Sequence, residues 1–216
     1  MANMLDNSKD KNLVPAIEAL LAARSARSGL KINWLRNASD LRQPVNKNLI
    51  TLYQEVFAEP PYQEAFSEED VLSILTEIIR AGGFLFTAQK FDDFDKIIAF
   101  VASVPLAERP DVAALTAPYI APQKQNSYFA EDAVDMSLRR QGISRFMKQA
   151  LLEANRLAGY DSMILRTSVD SFNQIAAVQQ LGAKRLGDLT QEVMSKKADG
   201  TIRPDTRCFF RFGLKG

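Results

Sequence analysis

The chain contains no histidine and a single cysteine, Cys208, among its 216 residues. Without imidazole, Ser-His and Cys-His nucleophilic catalysis are excluded, as is any zinc site built on imidazole. One cysteine forbids an intramolecular disulfide, which fits a reducing compartment. Any acid or base must then be a carboxylate, Lys, Tyr, Cys or a water. An excess of one charge sign is missing too: 27 Lys and Arg stand against 26 Asp and Glu, a formal charge of +1. Non-specific nucleic-acid binding relies on neutralising many phosphates, so this balance argues against it. No apolar run approaches the roughly 18 residues of a membrane span. The longest, from Ile97 to Ala107, contains Pro105 and reads as a buried strand with its exit loop. The expectation is a cytoplasmic protein with neither a membrane nor a nucleic acid as partner.

What the chain does contain is material for a core. With 46% hydrophobic residues, 13 Phe, 5 Tyr and one Trp, it is neither disordered nor a disulfide miniprotein. Residues 1–11 are polar and read as frayed. Leu13 to Arg27 is amphipathic, with Leu13, Ile17, Leu20 and Leu21 at helical spacing. Arg24 and Arg27 give it the look of an organelle presequence, but Asp6, Asp10 and Glu18 count against that, because such segments avoid acids. An accessory helix is the better reading, packed across the domain or across a homodimer partner.

Lys31 to Leu35 alternates as a first strand, and Val45 to Phe57 has helical spacing until Glu59-Pro60-Pro61-Tyr62 breaks it. Ser67 opens the next helix as N-cap, and Gly82-Gly83 ends it. Phe84–Gln89 and Lys96–Val104 read as a hairpin around the acidic connector Phe91-Asp92-Asp93-Phe94-Asp95. Pro105 to Gln125 reads as a long connection, with further prolines at 110, 118 and 122. A strand over Ser127–Met136 leads into the clearest helix, from Ile143 to Ala158, closed by Gly159. Met163–Val169 is a strand, Asn173–Leu181 a helix, and Arg185–Met194 with Arg207–Phe212 a final pair. The order β-α-α-β-β-β-α-β-α-β-β predicts one mixed α/β or α+β domain. Cys208 alternates with Phe210 and Phe212 as a buried small hydrophobe, not a nucleophile.

The junction Val134-Asp135-Met136-Ser137-Leu138-Arg139-Arg140-Gln141-Gly142-Ile143-Ser144-Arg145 carries the chemical signal. It joins a strand to the start of a long helix, whose first N–H groups are free and whose dipole is positive there. Arg139 and Arg140 add charge-assisted donors for a phosphate, and Gly142 lets the backbone approach it closely. Spacing alone leaves two readings: a phosphate cradle or an exposed basic turn.

Arg139-x-x-Gly142-x-Ser144 resembles the acyl-CoA pyrophosphate loop of the GNAT superfamily of N-acetyltransferases. That loop usually reads Gln/Arg-x-x-Gly-x-Gly/Ala. The segment Asn173 to Ala183, with its Leu181-Gly182, resembles the family's second cofactor segment, and the element order over residues 31–214 agrees with that fold. The resemblance implies a mixed, mostly antiparallel central sheet flanked by helices, spanning residues 30–216, with residues 1–29 as an extension carrying an extra N-terminal helix. It implies acetyl-CoA as co-substrate and no metal. Contacts to the cofactor are then expected from Ala133, Val134, Arg139, Arg140, Gln141, Gly142, Ile143, Ser144 and Asn173. Two departures stand out. Ser144 occupies a place where Gly or Ala is usual, so a third phosphate contact would be looser or would use the hydroxyl. Val178 falls near the tyrosine with which many members protonate the leaving thiolate. A coenzyme A thiol resembles cysteine, with a pKa near ~8.5, so water can supply that proton.

The resemblance further implies direct transfer of an acetyl group to a primary amine within a ternary complex. Glu131 and Asp132 are adjacent on a strand and point to opposite faces, so only one can serve the acceptor as base. The same carboxylates can equally be a solvated edge or partners of Ser127 or Arg166. Glu59, Tyr62 and Glu64, with Glu55, mark one wall of the acceptor cleft and suit a cationic amine; the bland account is a solvated loop with Tyr62 as an aromatic plug. Two alternatives remain beside an acetyltransferase acting on a small molecule or protein amine. One is a non-catalytic module that binds acyl-CoA or a partner. The other is an aminoacyl-tRNA acetylating toxin, which the +1 charge and the missing tyrosine disfavour.

Overall fold

Leu30, after the turn at Gly29, opens strand β1 (Leu30–Trp34), and from there the chain alternates between building a sheet and covering it. The computed structural model describes residues 7–43, 46–60, 62–121, 125–197 and 199–215. Val45, Pro61 and Pro122, used above as helix or loop signals, lie outside the described residues, as do residues 1–6. Six helices are described: α1 (Asn7–Ser28), α2 (Lys47–Ala58), α3 (Glu68–Arg80), α4 (Pro110–Thr116), α5 (Ile143–Leu157) and α6 (Phe172–Gln180). The further strands are β2 (Phe84–Lys90), β3 (Asp93–Pro105), β4 (Asn126–Val134), β5 (Ser162–Ser168), β6 (Lys184–Lys196) and β7 (Ile202–Gly213). They form one sheet in the order β1-β2-β3-β4-β5-β7-β6, antiparallel throughout except for β4 beside β5.

Both faces of the sheet are covered, which is why β2 and β3 carry long unbroken buried runs. One face packs Phe86, Val101, Phe129 and Leu165 against Met147 and Leu151 of α5 and Ile17 and Leu21 of α1. The other packs Phe100, Tyr128, Ile164 and Phe209 against Leu49 and Tyr53 of α2 and Leu75 of α3. The N-terminal helix therefore packs across its own domain, and Arg24 fastens it to Glu153 of α5 at 2.8 Å. Helix α3 is set by a capping box: Ser67 Oγ accepts from Asp70 N (3.1 Å), and the Asp70 carboxylate accepts from Ser67 N (2.8 Å). At its other end Gly83 is obligatory, because a Cβ there would lie 2.2 Å from the Ser103 carbonyl oxygen.

The connection after β3 departs from the expected open loop. It holds a 3-10 turn (Leu106–Glu108), helix α4 and a second 3-10 turn (Ala117–Tyr119). Pro110, read as part of the long connection, starts a helix here: it stands at the first position of α4, where its fixed φ helps and no N–H is needed. The acidic hairpin connector shrinks to Phe91-Asp92, with β3 already running from Asp93. Cys208 is buried in the core, where desolvation raises its thiol pKa. Among the described residues, no helix is long and apolar enough to cross a membrane.

Candidate functional site

β4 and β5 pair only from Asn126↔Ser162 to Phe129↔Leu165, although β4 continues to Val134 and β5 to Ser168. Beyond that point the two strands part, and the β5 side of residues 130–134 has no strand partner among the described residues. On its other side β4 stays paired with β3 to Val134, through a bulge that sets Phe129 and Glu131 opposite Ser103 and Ala102. Ala130 is the extra residue. Ala133 and Val134, expected as cofactor contacts, lie along this open edge.

At the end of β4, Asp135 accepts from Ser137 N (3.0 Å), Ser137 Oγ (2.7 Å) and Lys96 Nζ (2.6 Å). The bonds from Lys96 and Ser137 pull its pKa down to about 2. This pins the turn that follows. Arg140 (φ +64°) and Gly142 (φ +80°) are both left-handed, and α5 starts at once after them. Arg139, Arg140 and Gln141 are exposed, and neither arginine has an ion pair among the described residues. The first-turn amides of α5 have no intrahelical acceptor, and that end of the helix is positive. Ile143 turns its side chain into the core and offers only its backbone. Ser144 corrects an expectation. Its hydroxyl accepts from Lys148 Nζ (2.5 Å), so a phosphate would find its amide and not its hydroxyl. Asn173 is exposed on the first turn of α6, while Val178 is fully buried.

The adjacent carboxylates part company across the sheet. Asp132 faces α5 and α6: Lys148 Nζ donates to it at 2.5 Å and Gln174 Nε2 at 3.0 Å. Lys148 is only 1% exposed, so this is a buried ion pair. Glu131 faces α2, where burial and then the Glu131 charge raise the pKa of the Tyr53 hydroxyl. Desolvation raises the pKa of Glu131 to about 8; the nearby charges of Glu64 and Asp132 push the same way, and Arg109 and Arg207 oppose them. A carboxyl tuned to the operating pH is what a general base needs.

Around Glu131 the structure assembles side chains far apart in sequence. Tyr62 places its hydroxyl 3.3 Å from Thr167 Oγ1 at the parted end of β5, and the Arg207 guanidinium lies 5.3 Å from its ring centre. Arg207 pairs with Glu64 (3.1 Å) and Asp205 (2.7 Å). Arg166 pairs with Asp111 (2.9 Å) and bonds Gln191 (2.7 Å), and Arg109 lies 4.9 Å over the Tyr128 ring. Glu64 is thus neutralised, and the loop does not present the free acidic wall expected for a cationic amine. Glu59 ends α2 and offers its carbonyl to Gln63 N, outside this group of contacts. Tyr53, Arg109 and Arg207 escaped the sequence reading, and Arg166, expected as a partner of the strand carboxylates, pairs with Asp111 instead. The one available signal was polar: Arg166 follows the apolar run Met163–Leu165, and Arg207 precedes Cys208–Phe210, inside strands otherwise facing the core.

No family model and no curated protein matches the sequence. Solved structures do. The chain is similar to the ribosomal-protein-S18-alanine N-acetyltransferase from Escherichia coli, at 16% identity and a TM-score of 0.58, over 87% of this chain and 95% of that one. It is similar to the ribosomal-protein-alanine N-acetyltransferase from Brucella melitensis at 17% identity and a TM-score of 0.61, over 84% and 98% of the two chains. A third is a GNAT superfamily phosphinothricin acetyltransferase from Sinorhizobium meliloti in complex with AcCoA, at 15% identity and a TM-score of 0.60, over 86% and 89%. The chain has the GNAT fold.

Proposed function

We propose that the protein transfers the acetyl group of acetyl-CoA to a primary amine by direct attack in a ternary complex, with Glu131 as general base. The observation that carries this reading is the parted end of β4 and β5, with an exposed basic turn at the start of α5 at one end and a carboxyl of raised pKa on one face. Arg139, Arg140 and the amides of residues 142–144 would hold the diphosphate. The open edge of Ala133 and Val134 offers backbone groups to a strand-like amide arm, as any unpaired strand edge does. Acetyl-CoA supplies an acyl group activated as a thioester. Glu131, directly or through one water, takes the proton of the acceptor ammonium; the freed nitrogen then forms the C–N bond as the C–S bond breaks, and its second proton passes through water to the departing coenzyme A thiolate. An α-amino group has an ordinary pKa near ~8, so proton transfer to Glu131 would cost little. Tyr62, at the mouth of the gap, lines the acceptor side together with Glu64.

Calorimetric titration with acetyl-CoA and with coenzyme A tests this reading. Wild type should bind in the micromolar range, and the double variant Arg139→Ala, Arg140→Ala more than about tenfold more weakly, since each charge-assisted contact is worth ~1.5–3 kcal/mol. Unchanged affinity in the variant would move the cradle elsewhere. No binding by folded wild type would sink the transferase reading in favour of a non-catalytic interaction module.

A further inference from the structure

We propose that the acceptor carries a carboxylate beside its amine, as an α-amino acid does, held by Arg109 and Arg207 while the amine meets Glu131; this names the acceptor class for the transferase reading above and rests on it. Three guanidinium groups reach this face from separate elements: Arg109 from the turn before α4, Arg166 from β5 and Arg207 from β7. Their commitments differ. Arg166 is spoken for, with Asp111 and Gln191 both on its Nη1.

Arg207 shares its Nη2 among Glu64, Asp205 and Ser195, but its Nε is buried with no hydrogen-bond partner among the described residues. A buried N–H on a charged group is seldom left unpaired, and a missing ligand is one standard reason. Arg109 has its nearest carboxylate, Asp111, at 3.8 Å, beyond hydrogen-bond reach, and is otherwise stacked on Tyr128. Both Arg109 and Arg207 act electrostatically on Glu131, so the base stands within the field of two cations holding spare donors.

Charge then selects the acceptor. Glu64, Asp111 and Asp205 pair with the three arginines and Asp132 with Lys148, while Glu131 has no ion pair among the described residues. A diamine would bring its second ammonium against Arg109 or Arg207, and a neutral amine would leave the spare donors unmet. A carboxylate one carbon from the amine satisfies those donors and draws their field away from Glu131, which strengthens it as a base.

Calorimetry on the protein saturated with coenzyme A decides the matter, using a panel of common L-amino acids, each paired with its own amide, and ethylamine. At least one amino acid should bind about tenfold or more tighter than its amide, as loss of a charge-assisted contact predicts. Arg109→Gln should abolish that preference while coenzyme A binds as in wild type. Arg207→Lys, which keeps the charge toward Glu64 and Asp205 but lacks the Nε donor, should reduce it. Amides or ethylamine binding as well as the acids, or no amino acid binding at all, would overturn the proposal. Acetyl-CoA consumption on the same panel separates the two readings: selective binding without turnover would remove the transferase and leave the carboxylate site.

Discussion

Glu131 and Asp132 are neighbours in sequence, carry the same functional group, and live in opposite electrostatic worlds. Asp132 has a buried ammonium and an amide donor turned upon it. Glu131 is desolvated beside Glu64 and Asp132, which raises its pKa to about 8 although Arg109 and Arg207 oppose the shift. The strand's two-residue period sends them to different faces, and the packing on each face does the rest. One carboxylate is tied into an ion pair inside the structure; the other stands beside a gap.

That contrast can be broken from either side. Glu131→Gln should lower turnover by about 10²–10⁴-fold with acetyl-CoA affinity unchanged, and should erase the acidic limb of kcat/KM near pH 8. It should also alter stability with a definite sign. A carboxyl whose folded pKa is raised stabilises the fold below its unfolded pKa, and that contribution is lost as pH rises through the folded value. Thermal melts should therefore show the Gln variant gaining on wild type between pH 5 and pH 9. Asp132→Asn does the reverse. It leaves Lys148 buried without its anion and should cost about 3–5 kcal/mol in denaturant unfolding, with much of the loss recovered when Lys148→Met is added. The smallest effect belongs to Gln174→Leu, which removes one donor from Asp132 and should cost about 1 kcal/mol. If Glu131→Gln unfolded the protein while Asp132→Asn left it stable but inactive, the two roles would be exchanged.

Much of the frame was legible because it is local. The Ser67 cap, the apolar stripe of α5 and the turn through Gly142 are each written within a few consecutive residues. The opposite facing of Glu131 and Asp132 follows from strand period alone. Their environments do not, since Lys148, Tyr53 and Arg109 approach from three other elements. The acceptor side was misread for the same reason. Glu64 looked like a spare acid next to Tyr62, and its partner Arg207 comes from the last strand. Helix α4 was hidden by Pro110, whose meaning depends on whether it stands at a helix's first position or inside it.

The bulge at Ala130 makes the identity of the proposed base a question of counting. Counted forward from Phe129, the even step lands on Glu131 as though it shared Phe129's face; counted back from Val134, it lands on Asp132. The extra residue shifts parity between the two counts, so the strand has one frame before the gap and another after it. When this chain is set beside another of the same fold, residues of the parted half should be matched backward from the turn through Gly142. Matched forward from the start of β4 against a strand without the bulge, the proposed base and the ion-paired aspartate would trade names.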